Sequence, residues 1–453
     1  MVRDELVPGQ EQIFGWIEEV FSHGVRRPGY PADRWAEEWL QDRFREIGLE
    51  NVRAEPLELP FWESQSASLT IKPTGADPFD VPCFPLPHSA STAGLETKLM
   101  QFDKAEPAKV RGAVALYDVT LNRIPHPVLR GLATWSYDPD GSYEGTRQIM
   151  PFGREIMHVM EPAMQVGAAG FIGVLAGYPG DSHDYYVPYD AVERGIPGVW
   201  ISGSDGARLR NLLAECQVTA RLTVDSRREV ITSYNIVGEL PGADEEIVII
   251  GSHHDGPWGS AVEDGSGISL VLAQASYWAR VPQMDRPHRL VFLLNAGHMA
   301  GGAGQGKFVG SHAAEMERVV LEVHLEHAAN EFSDEGGELR ATGQPESRWW
   351  FTSRIPQLES AVQGAIEAED LRRSLIMPPT VFGEAPTTDA AQFYLAGVPI
   401  VNYLSAPFYL FDSMDTLDKI HKPSLVPVTR AAIRIVESTS GVSASEMRKG
   451  RSP

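Results

Sequence analysis

Two near-continuous apolar runs, Glu246-Ile-Val-Ile-Ile-Gly251 and Arg289-Leu-Val-Phe-Leu-Leu294, flank a helical stretch from Ser266 to Trp278. A strand that is apolar at successive positions, instead of alternate ones, has to be buried on both faces. Helices are the usual cover for such a sheet, so the alternation predicts an α/β architecture: a mixed, mostly parallel sheet sandwiched by helices. Open sheets of this class bind ligands in the crevice beyond the strand C-termini. The residues that follow each run are therefore where chemistry is expected.

Ionisable side chains stand at those points. His253-His254-Asp255 follows the strand ending at Ile250, and Glu263-Asp264 opens the helix that starts near Ser266. His298 follows the strand ending at Leu294, and Glu326 ends the run Val319-Val-Leu-Glu-Val-His-Leu-Glu326. A single histidine is more often a satisfied structural residue than a ligand. Four imidazole or carboxylate groups, each at a strand exit of one sheet, reverse that expectation. On extended backbone His253 and Asp255 share a face, so Asp255 is the candidate acceptor that orients the His253 ring. The same period of two puts His324 and Glu326 on one face and points His327 away. Gly301-Gly-Ala-Gly304 lacks the following Gly-Lys-Ser/Thr of a phosphate cradle and is read as an ordinary loop.

Upstream, residues 10–50 read as helical, with Pro31 and Asp33 as a start signal and Gly48 as a stop. Residues 51–72 read as short strands. A texture rich in Pro, Gly and aromatic residues follows. In it, Val110–Tyr117 reads as a buried strand, Ala163–Val174 as a small-residue helix feeding a strand, and Gly195–Ser202 as a strand before a capped helix. Residues 120–160, with Trp135, Tyr137, Tyr143 and His158, read either as a longer surface loop or as an aromatic wall over the site. Trp349-Trp350, Phe382 and Phe408–Phe411 are candidates to line a substrate pocket, with core packing as the competing reading.

The segments Ser233-Tyr-Asn-Ile-Val-Gly-Glu-Leu-Pro-Gly242, Val248-Ile-Ile-Gly-Ser-His-His-Asp255 and Glu263-Asp-Gly-Ser-Gly267 resemble the co-catalytic zinc aminopeptidase and glutamate carboxypeptidase family. The three pieces between about 60 and 230 resemble the protease-associated domain, a β-rich α+β insertion common in that family. The resemblance implies a divided main domain at 1–60 and 233–442, the insertion at 61–232 and a flexible tail at 443–453. It also implies that His253, Glu263 and Glu326 form the first metal site, with Asp255 orienting His253, and that His298 replaces a glutamate ligand of the second.

Two departures follow from the same comparison. The family's histidine in Asp-His-x-x-Phe is Ala390 in Asp389-Ala-Ala-Gln-Phe393, and its general-base glutamate is Gly297. The expectation is therefore one divalent ion, zinc with manganese or iron as alternatives, held by His253, Glu263, His298 and Glu326. His254, His324, His327 and Asp389 are the candidate replacements for the lost acid or base, and His324 ranks first because it shares a face with Glu326.

With a formal net charge of 39 − 61 = −22, neither nucleic acid nor an anionic membrane is an expected partner. The start of the chain shows no basic, apolar leader, and two distant cysteines, Cys83 and Cys216, read as apolar thiols, not as a staple. The expected setting is cytoplasmic, the expected partner a small molecule or short peptide-like substrate, with self-association left open. The expected activity is hydrolysis of an amide-like bond. The alternatives are a lyase, hydratase or isomerase using the ion as Lewis acid, and a non-catalytic binding protein.

Overall fold

Val248 and Ile250 pack on one side of the central sheet while Ile247 and Ile249 pack on the other, which is why this strand is apolar throughout. The computed structural model describes residues 2–143 and 145–449. Its main sheet runs in the order 218–240, 289–295, 247–253, 319–325, 400–405, 348–352, 374–377 and 135–137. The four strands Arg289–Asn295, Ile247–His253, Val319–Leu325 and Ile400–Ser405 are mutually parallel, so their C-terminal ends share one edge. The flanking pairs Val218–Leu240 with Arg289–Asn295, and Arg348–Thr352 with Ile400–Ser405, are antiparallel. The sheet is thus mixed and mostly parallel at its centre, as the apolar runs predict.

One face carries the helices Gln10–Ser22, Pro31–Ile47, Gly267–Arg280 and Lys422–Glu437, packed together through Ile13, Ile17, Leu40, Leu270, Ile433 and their neighbours. Pro31 starts the second of these, and Gly48 ends it in the left-handed conformation (φ +96°) that glycine tolerates. The other face is covered by Phe308, Met316 and Phe393. Among the described residues no helix is long and apolar enough to cross a membrane.

A second, smaller sheet joins 84–85, 198–202, 170–175, 114–119 and 92–101 to the first half of Val218–Leu240. Its apolar residues form a separate core, with Cys83 and Cys216 half-buried at its margin as free thiols. Residues 51–72 do not break into short strands. Glu50–Pro73 is one strand, paired antiparallel with Val218–Leu240 from Arg53 opposite Val237 to Pro73 opposite Val218. A partner about 160 positions away sets that continuity, and local sequence does not report it.

The 120–160 segment likewise returns to the main body. Trp135–Tyr137 adds an antiparallel edge strand to Ser374–Met377, and the buried Tyr143 hydroxyl meets Ser347 Oγ at 3.2 Å. At the other end of the chain, Ala444–Lys449 form a helix with Ala444 and Met447 buried. Residues 450–453 of the expected tail lie outside the described residues.

One buried acid within residues 406–415 gives a pH prediction. Asp412 accepts the Met414 N–H at 2.9 Å through one oxygen and leaves the other without a partner. Burial pushes its carboxyl up to about 7, whereas an unfolded chain ionises near the ordinary value of about 3.9. As pH rises between those values the unfolded state sheds its proton first, so the folded state loses stability, and the loss is complete above about 7. Asp412→Asn is expected to melt higher than the native chain at pH 8, by about 2–4 kcal/mol. The gap should close toward pH 4 in paired melting curves, and a gap that stays the same at both pH values would contradict it.

Candidate metal centre

The shared edge of the four parallel strands gathers histidines and carboxylates from separate parts of the chain. His253 ends Ile247–His253, and its Nδ1 lies 2.9 Å from the Asp255 main-chain oxygen. That contact leaves Nε2 aimed into the cluster, 3.6 Å from Glu263 Oε1. Glu263 stands in an irregular turn ahead of Gly267–Arg280, where Asp415 accepts the Val262 and Glu263 N–H groups at 2.9 Å each. His327 Nε2 is 2.5 Å from Glu263 Oε2, and its Nδ1 is 2.8 Å from the Ser405 main-chain oxygen.

His253, Glu263 and His327 each offer a ligand atom within 4.8 Å of the other two, and all three are buried. Tetrahedral donors 2.0–2.1 Å from a zinc ion stand roughly 3.4 Å apart, close to the His253–Glu263 separation. Apart from the short contact between His327 Nε2 and Glu263 Oε2, the His253 and His327 Nε2 atoms and both Glu263 oxygens have no hydrogen-bond partner. Buried carboxylates and imidazoles left in that state are costly unless a cation or donor completes them. The donor set therefore fits a divalent ion.

His327 corrects the sequence reading that pointed it away. The strand ends at Leu325, so the period of two does not extend past it, and His327 takes φ +52°, which swings its ring back over Glu263. His298 reaches the same carboxylate, Nε2 to Glu263 Oε1 at 3.4 Å, and stacks on His253 with ring centroids 4.0 Å apart. Its Nδ1 lies 2.8 Å from Asp389 Oδ1, which Gln305 also contacts at 2.8 Å.

Glu326 faces the cluster, but its short contact is to His324 Nε2 at 3.2 Å, and His324 Nδ1 meets Glu322 Oε1 at 2.8 Å. His324, Glu326 and Asp389 form a second group with donor atoms within 4.8 Å of one another. Of the expected four, the structure thus brings His253 and His298 onto the Glu263 carboxylate and sets Glu326 beside them.

Asp255 orients less by its carboxylate than expected. Its oxygens accept the His298 and Met299 N–H groups at 3.0 and 2.7 Å, and its main-chain oxygen faces the His253 ring. His254 lies outside the cluster. Its nitrogens are 3.0 Å from Asp33 Oδ1 and 3.0 Å from the Tyr234 main-chain oxygen, so both are committed elsewhere. His324 sits behind Glu326, clamped between two carboxylates. Of His254, His324 and Asp389, only Asp389 lines the larger cavity, and His327 lines the smaller one. Glu322 was missed although Glu322, His324 and Glu326 alternate on one strand, the pattern that exposed the other two.

Without an ion the cluster is strongly coupled. Burial opposes protonation of His298, yet the Asp389 and Glu263 carboxylates override it and hold the ring up at about 10. Burial is likewise overridden at His327, which Glu263 holds at about 10. At His253, burial and then the His298, His327 and His324 charges push the other way, well below the ordinary histidine value. Burial alone would raise Glu326, but His324 draws it down to about 2. A divalent ion at the centre would work against every one of these protonated imidazoles.

A cavity of about 570 Å³ opens beside the cluster, lined by Met150, Phe152, Tyr189, His298, Phe382 and Asp389 among others. A smaller cavity continues inward to Glu263, Glu326, His327, Trp349, Phe351 and Phe411. The aromatic wall comes from Phe152 in the 120–160 segment, while Trp135, Tyr137, Tyr143 and His158 line neither cavity. Trp350 is fully buried in the core. Ala390 is also core, packed with Phe393 and Val398. Gly297 has φ +73°, and a Cβ there would meet Leu59 Cδ1 at 2.9 Å. The backbone at 297 is therefore shaped for glycine, not for an acid.

Residues 235–436 match the model of Peptidase family M28. Among curated proteins, the probable leucine aminopeptidase 2 of Aspergillus oryzae is 32% identical over 167 residues, which are 35% of this chain and 31% of that protein. The probable leucine aminopeptidase 2 of Aspergillus fumigatus is 38% identical over 86 residues, 17% of each chain. The matched stretches span less than a third of those relatives. The crystal structure of a Peptidase M28 precursor from Shewanella amazonensis SB2B is similar with a TM-score of 0.73 at 22% identity, covering 95% of this chain and 94% of the other. The zinc aminopeptidase BSAP from Bacillus subtilis is similar with a TM-score of 0.66 at 17% identity, covering 94% and 95%. At those identities the likeness speaks for the fold.

Proposed function

We propose, on the premise that residues 235–436 form a Peptidase family M28 domain, that this chain is a metal-dependent hydrolase. In this reading it cleaves an amide bond in small, apolar, peptide-like substrates. The observation that carries the reading is the convergence of buried donor atoms on His253, Glu263 and His327, with His253 Nε2 and Glu263 Oε1 left without a hydrogen-bond partner. These three residues hold one divalent ion, zinc by donor type. Such an ion supplies Lewis acidity, polarising a substrate oxygen or lowering the pKa of water.

The remaining roles fall to side chains around it. His298, 12% exposed and backed by Asp389, borders both cavities, so it is placed to take and return a proton where Gly297 offers no acid. This reading moves His298 from ligand to proton carrier. Its Nδ1 already faces Asp389, and an imidazole braced by a carboxylate is the arrangement that general bases share. Glu326, backed by His324 and Glu322, supplies a fixed negative charge beside the ion. Met150, Phe152 and Phe382 form an apolar wall suited to an aliphatic or aromatic side chain, in keeping with the leucine aminopeptidases among the similar proteins. The smaller sheet and its neighbours correspond in this proposal to a protease-associated domain.

The test is hydrolysis of leucyl and phenylalanyl dipeptides by the purified chain, before and after chelation. Turnover that disappears with the metal and returns with about one equivalent of zinc is the expected result. Turnover indifferent to chelation would contradict the proposal. So would a zinc-loaded protein that cleaves no amide, an outcome favouring lyase or hydratase chemistry.

A further inference from the structure

His298 rests on two rings besides its contact with Asp389. Its imidazole lies nearly parallel to His253, with centroids 4.0 Å and planes 9° apart, and to Tyr189, at 5.5 Å and 20°. Tyr189 stacks in turn on Phe411 at 4.8 Å and 27°. The four rings thus form one run outward from the metal centre. Tyr189 and His298 both line the larger and the smaller cavity, so the run stands at their junction. The Asp389 contact fixes where His298 Nδ1 points, but the last torsion of a histidine side chain is broad and leaves the ring plane loosely set. Flat neighbours are what define that plane, and through it the direction of Nε2.

Tyr189 comes from another part of the chain, the connection between strands 170–175 and 198–202 of the smaller sheet. Its backbone is tied to the turn that carries His298. The Gly301 N–H donates to the Tyr189 main-chain oxygen at 2.9 Å, and the Tyr186 N–H donates to the Phe411 main-chain oxygen at 2.8 Å. A Cβ at Gly301 would meet the Asp190 main-chain oxygen at 3.3 Å, so the two backbones run in close contact. Arg194 holds the Asp190 carboxylate at 2.9 Å from the other side. The Tyr189 hydroxyl has no hydrogen-bond partner among the described residues, so what this side chain gives His298 is the face of its ring.

We propose that Tyr189 is a positioning residue whose ring holds the His298 imidazole in the plane that aims Nε2 toward Glu263 and the cavities. A loop of the smaller sheet thereby completes the proton-transfer site of the main one. The inference rests on the proposed hydrolysis for the role of His298, but not for the orientation of its ring. Tyr189 itself carries no proton. The glutamate that the family resemblance expects at 298 has no ring to lean on it, so the arrangement belongs to this chain's histidine.

The test compares Tyr189→Phe, which keeps the flat face, with Tyr189→Leu, which keeps apolar contact without it, in the zinc-loaded full chain. Turnover of leucyl and phenylalanyl dipeptides, zinc content and crystal structures of both variants are the readouts. Tyr189→Leu is expected to lower kcat by about 10–10²-fold with KM within about threefold of native, and Tyr189→Phe to keep kcat within about threefold. Both should hold as much zinc as the native chain. In the crystals His298 should leave the plane it shares with His253 in Tyr189→Leu and keep it in Tyr189→Phe. Tyr189→Met, flexible and apolar, replaces the leucine variant if that one does not fold. An equal loss in Tyr189→Phe would assign the effect to the hydroxyl and overturn the proposal. Loss of zinc in step with kcat, or a His298 ring unmoved in Tyr189→Leu, would overturn it as well. A native chain that hydrolyses no amide would remove the reaction, and the His298 plane in the two crystals would still decide the positioning.

Discussion

Glu263→Ala is expected to purify with less than about a tenth of an equivalent of zinc and to lose more than about 10³-fold in turnover. Both Glu263 oxygens point into the cluster, where imidazole nitrogens of His327, His298 and His253 lie 2.5, 3.4 and 3.6 Å from them. Removing that carboxylate leaves two neutral donors, too few for a tetrahedral ion and with no charge to balance it. The fold should survive. Asp415 holds this turn through main-chain N–H groups at 262 and 263, which an alanine keeps. His327→Ala should follow Glu263→Ala in metal content. Metal analysis of gel-filtered protein, with circular dichroism as the control for folding, checks both. A Glu263→Ala protein that keeps a full equivalent of zinc would contradict the assignment.

The second large effect separates proton transfer from metal binding. Asp389→Asn and His298→Ala are each expected to lower kcat by about 10²–10⁴-fold, the usual worth of a general base, while leaving close to one zinc per chain. Asp389 braces His298 Nδ1 at 2.8 Å and faces the open cavity. An asparagine there keeps the shape but removes the charge that makes the imidazole basic. Loss of zinc in step with activity in both variants would return His298 to the ligand role that the family resemblance assigned it. Gly297 cannot take over in either case, since a side chain at φ +73° would be strained and would press on Leu59.

How much of this was legible in the sequence follows from which forces are local. The central sheet could be read because residues 247–250 and 290–294 are apolar at successive positions, and only burial on both faces explains that. His253, Glu263, His298 and Glu326 could be found because each sits where such a strand or its following helix begins or ends.

His327 could be named as an acid or base but not as a ligand, because the rule that places alternating residues holds only while the backbone is extended, and the strand stops two residues earlier. The His298–Asp389 contact joins positions 91 residues apart, and nothing periodic links them. The same limit hid the long ribbon of Glu50–Pro73 with Val218–Leu240, and the edge strand at Trp135–Tyr137. Each depends on a partner distant in sequence, so an alternating or mixed local pattern carries no mark of where it pairs.

Three side chains sharing one ion carry the proposed chemistry. The most direct test of that shared site is anomalous diffraction at the zinc edge from crystals of the zinc-loaded chain. The predicted map has one strong peak bounded by His253 Nε2, Glu263 and His327 Nε2, each about 2.0–2.2 Å from the peak. A peak held instead by His324, Glu326 and Asp389, or no peak at all beside Glu263, would contradict it.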